Sequence, residues 1–114
     1  MKKIKTLKKN YEFNHVLNKG KFYIGAQITT YIVKSREEEN KIGIAVSSKQ
    51  FNAVKRNYIK RKIRENYRLL EKKLVPGHHI VFLWNKKVPI ENADFFIIQK
   101  DMKNSFSRAG MLVK

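Results

Sequence analysis

The sequence predicts a single α+β domain, in the order α-β-β-β-α-β-α, with helices packed on a sheet of about four strands. Three observations carry this. Residues 53–73 hold no Pro or Gly and place Ile59, Ile63, Tyr67, Leu70 and Leu74 at steps of four, four, three and four, which is helix spacing. Residues 22–34 and 41–47 are rich in β-branched and aromatic residues, as strands are. Residues 79–84 (HIVFLW) form a continuous apolar run, the pattern of a strand covered on both faces.

Taken in order, residues 1–9 form a basic arm with five lysines, expected to be mobile until it meets an anion. Asn10 is placed to cap a short helix over residues 11–18, with Glu12 in its first turn and Gly20 as its stop. Phe13, Val16 and Leu17 share one face of that helix. A short strand near Phe22, a break near Gly25 and a longer strand over residues 27–34 follow. Residues 35–40 are a charged turn, and residues 41–47 alternate as a strand expected to pair with the one before it. Asn52 caps the long helix, and Pro76-Gly77 turns the chain into the apolar strand. The last helix starts near Glu91 or Asn92, buries Phe95, Ile98, Met102 and Phe106, and closes at Gly110.

The charge is the strongest functional signal. The chain has 114 residues and a net charge of +17, which calls for a polyanionic partner and says little about fold. Residues 54–73 carry nine basic side chains against two acidic ones. Projected at about 100° per residue, the apolar stripe spans about 80°, while Lys60, Arg64, Asn57, Arg68 and Arg61 occupy a neighbouring arc of about 100°. Like charges so placed repel, and phosphate is the usual relief. Arg56 and Arg61 are expected to lie outside the stripe, so that replacing both weakens nucleic-acid binding without unfolding the chain. A membrane surface fits less well, because the stripe is narrow and lacks Trp and Phe.

Other chemistry is poorly represented. No cysteine is present, which excludes disulfide scaffolds, Cys-containing zinc sites and thiol nucleophiles and fits a reducing compartment. No run of 18 apolar residues spans a membrane, and no secretory signal follows the basic start. His15, His78 and His79 are too few and wrongly spaced for a metal site, and Glu37, Glu38 and Glu39 read as a solvating turn. No catalytic triad, phosphate loop or nucleotide-binding glycine motif occurs. Phe13, Phe22, Tyr23 and Tyr31 are candidates to stack unpaired bases, though each suits the core as well.

The stretch GIAVSSKQFNAVKRNYIKRKIRENYR resembles the signature of the bacterial ribonuclease P protein subunit. The matching pieces are Gly43, Val46-Ser47, Lys49, Asn52-Ala53-Val54, Arg56-Asn57, Lys60-Arg61 and Ile63-Arg64. Residues 7–21 resemble the family's opening, and the likeness covers nearly the whole chain. Tyr58 stands where the second arginine of the motif is usual, Ser48 where lysine is common, and Phe51 where glycine is common. The resemblance implies an α+β sandwich with a left-handed β-α-β crossover (ribosomal protein S5 domain 2-like), an exception to the usual hand. It also implies a cytoplasmic subunit that binds ribonuclease P RNA and precursor tRNA. On this likeness the RNA performs the hydrolysis with magnesium that the RNA itself holds, and the protein has no catalytic residue or metal ligand. Lys49, Asn52, Arg56, Asn57, Lys60, Arg61, Arg64 and Arg68 would face RNA. Phe13, Leu17 and Tyr31 would lie in or near a cleft for the 5′ leader. No membrane or small-molecule substrate is implied. The competing readings are a structural RNA-binding protein of ribosomal type and a stand-alone nuclease. The latter would need paired carboxylates or histidines on rigid elements.

Overall fold

A computed structural model describes residues 4–49 and 51–113. The elements are α1 (Asn10–Lys19), β1 (Lys21–Ile24), β2 (Ile28–Lys34), β3 (Lys41–Ala45), α2 (Ala53–Leu70), β4 (His78–Trp84) and α3 (Phe95–Arg108), in the expected order. Short 3-10 turns follow α2 (Glu71–Lys73) and precede α3 (Ile90–Asn92).

The sheet is mixed, in the order β1-β2-β4-β3. β3 does not pair with β2, as its place in the chain suggested; it lies parallel to β4, with Ile42 opposite Ile80. The reason is burial. Ile80, Val81 and Phe82 are all fully buried, so β4 needs cover on both faces and takes the centre. β3, which begins with Lys41 and contains Gly43, tolerates the edge. α2 is then the crossover of a β-α-β unit.

Alternation sorts the two faces. Ile28, Ile32, Ile42, Ile80, Phe82 and Trp84 meet Ile59, Ile63 and Tyr67 of α2 and Ile98, Met102 and Phe106 of α3 in one core. Phe82 and Phe106 pack edge-on, with ring centroids 6.1 Å apart. All five stripe residues of the long helical segment are buried, Leu74 just beyond the helix proper. Asn66, which no sequence pattern marks, is buried too. Its amide donates to the carbonyls of Lys62 and Phe95, tying α2 to the start of α3. On the opposite face α1 covers part of the sheet, with Val16 and Val81 fully buried. Gly43 allows the approach: a Cβ there would lie 2.5 Å from the Phe13 ring.

Several boundaries differ from expectation. Lys9, not Asn10, precedes α1, and its amide donates to Glu12. Asp94, not Glu91 or Asn92, caps α3, accepting from the amides of Phe96 and Ile97. Of the basic arm, residues 1–3 lie outside the described residues. The rest is not free: Leu7 N–H donates to the Ile42 carbonyl and Ile42 N–H to that of Lys5, so the arm pairs with the open edge of β3.

Candidate nucleic-acid interface

The part of the sheet that α1 leaves open is built from two cross-strand rows. The first runs Phe22, Tyr31, Val81, Gly43, and the second Ile24, Thr29, Leu83, Ala45. Phe22 is 56% exposed and Ile24 71% exposed, an unusual surface for such residues on a sheet. The Phe22 and Tyr31 rings face each other at 5.5 Å between centroids. The first row thus has an open aromatic end and a far end covered by Phe13 above Gly43. The second row ends at Ala45, where the chain leaves the sheet and turns through residues 46–52 into α2.

That turn sets the position of the basic helix. The Asn52 side chain accepts from the Lys55 amide at 2.9 Å, so Asn52 fixes the helix start and keeps only its amide hydrogens for a ligand. Lys49, Asn57, Arg61, Arg64 and Arg68 are exposed, and Lys60 is half-buried. Lys60 and Arg64 share a cavity of 160 Å³ with Leu7, Phe13 and Gly43, which joins the basic arc to the aromatic side chain of α1. Leu17 stands one turn beyond Phe13 on α1 and is half-buried. Tyr31 is separated from this group by β4 and belongs with Phe22.

Arg56 departs from expectation. It lies within the apolar stripe, one turn before Ile59, and is half-buried; its Nε is withdrawn from solvent with no hydrogen-bond partner among the described residues. At about 100° per residue its position three residues before Ile59 falls inside the stripe. Tyr23 faces the other way, against the core and beneath Arg108, at 5.4 Å from its ring centroid. Tyr58 lies on the helix surface with the Lys62 ammonium 4.8 Å above its ring. Phe51 packs against the core, which anchors the turn that a glycine would leave loose.

Sequence reasoning missed the anchor of the floor. The buried Asp101 carboxylate of α3 accepts from the amides of Ala26, Gln27 and Ile28 at 3.0, 2.7 and 3.1 Å. Gln27 in turn bonds the Asn92 carbonyl and the Asp94 amide. These contacts bolt the β1–β2 hairpin, which carries Phe22, Ile24 and Tyr31, onto α3. A lone Asp within an apolar helix face was the available signal.

The perturbed titratable groups lie away from the basic arc. Burial, with the Glu71 carboxylate adding to it, pushes the Tyr67 hydroxyl well above its ordinary value. A hydrogen bond from Lys41 lowers the Glu37 carboxyl and correspondingly raises Lys41. Burial lowers His78. At that end of the sheet the donor atoms of Glu12, Glu37 and His79 lie within 4.8 Å of one another, a grouping the histidine spacing in the sequence did not suggest. Among the described residues no helix is long and apolar enough to cross a membrane.

An apolar sheet floor flanked by a one-signed basic helix defines a small RNA-binding protein rather than an enzyme with its own catalytic residues. The chain belongs to the ribonuclease P protein family, whose pattern it matches over residues 1–110. It is 36% identical over 110 residues to the ribonuclease P protein component of Clostridioides difficile, covering 96% of this chain and 95% of that one. The RNase P protein of Staphylococcus aureus superposes with a TM-score of 0.80 at 28% identity, over 96% of this chain and 99% of that one. The RNase P protein from Thermotoga maritima gives 0.79 at 25% identity, over 91% and 96%. The chain is thus a ribonuclease P subunit and an RNA-binding protein of tRNA processing, and its partner is ribonuclease P RNA.

Proposed function

We propose that this subunit binds the catalytic RNA through the exposed arc of α2 and holds the 5′ leader of precursor tRNA along the open sheet floor, assisting endonucleolytic removal of the leader. The observation that carries the reading is the continuity of the two surfaces: the row Ile24, Thr29, Leu83, Ala45 leads directly to the turn that starts the basic helix. Unpaired bases have faces that stack on Phe22 and Tyr31, and Leu17 and Phe13 border them from α1. Arg61, Arg64 and Arg68, with Lys49, Lys60 and Asn57, contact phosphates and sugars. Asn52 and Arg56 act chiefly by setting the start of α2. The hydrolysis belongs to the RNA and to magnesium bound on it; the protein's residues bind and orient. The setting is the cytoplasm.

The test is reconstitution. The full chain is mixed with ribonuclease P RNA at low magnesium, and leader release from precursor tRNA is followed. Cleavage that needs both components, and a preference for leader-bearing over leaderless tRNA that Phe22→Ala weakens, are expected. Tight RNA binding with no stimulation would move the assignment to a structural RNA-binding role. Cleavage by the protein alone would overturn the placement of chemistry on the RNA.

A further inference from the structure

We propose that Glu12, Glu37 and His79, with His15 at the rim, form a binding site for one transition-metal dication of the zinc class. The three inner residues come from separate elements: the first turn of α1, the turn between β2 and β3, and the start of β4. His79 is only 9% exposed, and its Nε2 lies 3.2 Å from Oε1 of Glu37. In a tetrahedral zinc site with ligands at about 2.0–2.2 Å, neighbouring donor atoms stand about 3.4 Å apart. The His79–Glu37 edge therefore already has the length of a coordination edge. The three donor atoms lie within 4.8 Å of one another, so side-chain rotation of Glu12 by about 1–1.5 Å closes the set.

Two further features fit a cation. His15 follows Glu12 by three residues on α1 and opens into the same 650 Å³ cleft as Glu12, Glu37 and His79, giving a fourth donor within one helical step. Lys41 holds the other oxygen of Glu37 at 2.8 Å, which orients that carboxylate from outside and leaves Oε1 for the cluster. Two carboxylates and two imidazoles suit zinc better than magnesium or calcium, which prefer all-oxygen sets. Lys34 and Arg36 also line the cleft and oppose a cation. Affinity is therefore moderate, below that of a structural zinc site. A bound ion would tie α1 to the start of β4, fixing the helix that carries Phe13 and Leu17 above the floor.

Calorimetric titration of the full chain with zinc chloride, alongside the visible spectrum with cobalt(II), tests the site without any RNA. One equivalent with a four-coordinate cobalt spectrum is expected, together with a melting temperature that rises with zinc concentration. Glu12→Gln and Glu37→Gln should each weaken binding by about tenfold or more, and His79→Gln should abolish it. If His79→Gln does not fold, the two exposed-side variants decide, with circular dichroism confirming their fold. The proposal is overturned if no saturable one-to-one binding occurs, or if Glu12→Gln and Glu37→Gln bind zinc as the parent does, which would mark adventitious histidine contact.

Discussion

Asp101 offers a direct test of how the floor is held. Its carboxylate serves three amides of the β1–β2 hairpin, two of them buried. In Asp101→Ala all three donors lose their partner. A buried donor left unsatisfied costs about 1–3 kcal/mol. The Ala26 amide, on an exposed residue, regains water, so Gln27 and Ile28 carry most of the loss, for a total of about 4 kcal/mol. Asp101→Asn keeps one oxygen for Gln27 and Ile28 but turns an amide donor toward Ala26, and should cost about 1–3 kcal/mol. Urea unfolding followed by circular dichroism reads this. With a slope of about 2 kcal/mol per molar, the alanine variant should unfold about 2 M earlier. The loosened hairpin should also lower affinity for leader-bearing tRNA more than for the RNA subunit. An alanine midpoint within about 0.3 M of the parent would refute the claim that Asp101 anchors the hairpin.

Arg61→Ala with Arg64→Ala and Arg68→Ala should leave the melting temperature unchanged, since all three are exposed. It should also flatten the log–log salt dependence of RNA binding by about 0.7 for each phosphate no longer neutralised; an unchanged slope would remove these residues from the interface. Tyr67→Ala should cost about 3–5 kcal/mol, while Tyr67→Phe should stay within about 1 kcal/mol, because the hydroxyl has no partner among the described residues; chemical denaturation distinguishes the two. Because the folded Tyr67 hydroxyl titrates well above its ordinary value of 10.0, stability should fall as pH rises above about 10, where the unfolded chain ionises and the folded one does not. The phenylalanine variant should lose that part of the alkaline decline. Gly43→Ala should displace Phe13 at a cost of about 1–3 kcal/mol, and Phe13→Leu should recover part of it in the double variant's melting curve.

Much of this was legible because it follows from periods. The stripe from Ile59 to Leu74 and the run from Ile80 to Trp84 are long, and their burial follows from residue type alone. The exposed arc of α2 was legible for the same reason, as charge sorted on a helix wheel. What escaped depends on partners distant in sequence. Asp101 acts on residues 73 to 75 positions away, and Glu12, Glu37 and His79 meet only because β4 takes the central slot. Arg56 escaped for a different reason: charge argues for exposure, yet its angle puts it above Ile59, where a long side chain can bury its stem.

The pairing of β3 is the consequential difference, because it decides what the floor is. Had β3 joined β2 as a hairpin, the fully apolar β4 would have been an edge strand, with Ile80, Val81 and Phe82 short of cover. Placing β4 between β2 and β3 buries those residues under α1 on one face and α2 and α3 on the other. It also moves β3 to the far side of the sheet from β1. That separation gives the floor its width, about three strand spacings of about 4.8 Å, with aromatic side chains at the β1 end and the basic helix starting beyond the β3 end. A hairpin arrangement would have set Tyr31 and Gly43 side by side and put Phe13 directly over the aromatic pair, leaving no open row. The burial demand of one apolar strand is thus what keeps an unfilled apolar surface available next to the positive charge.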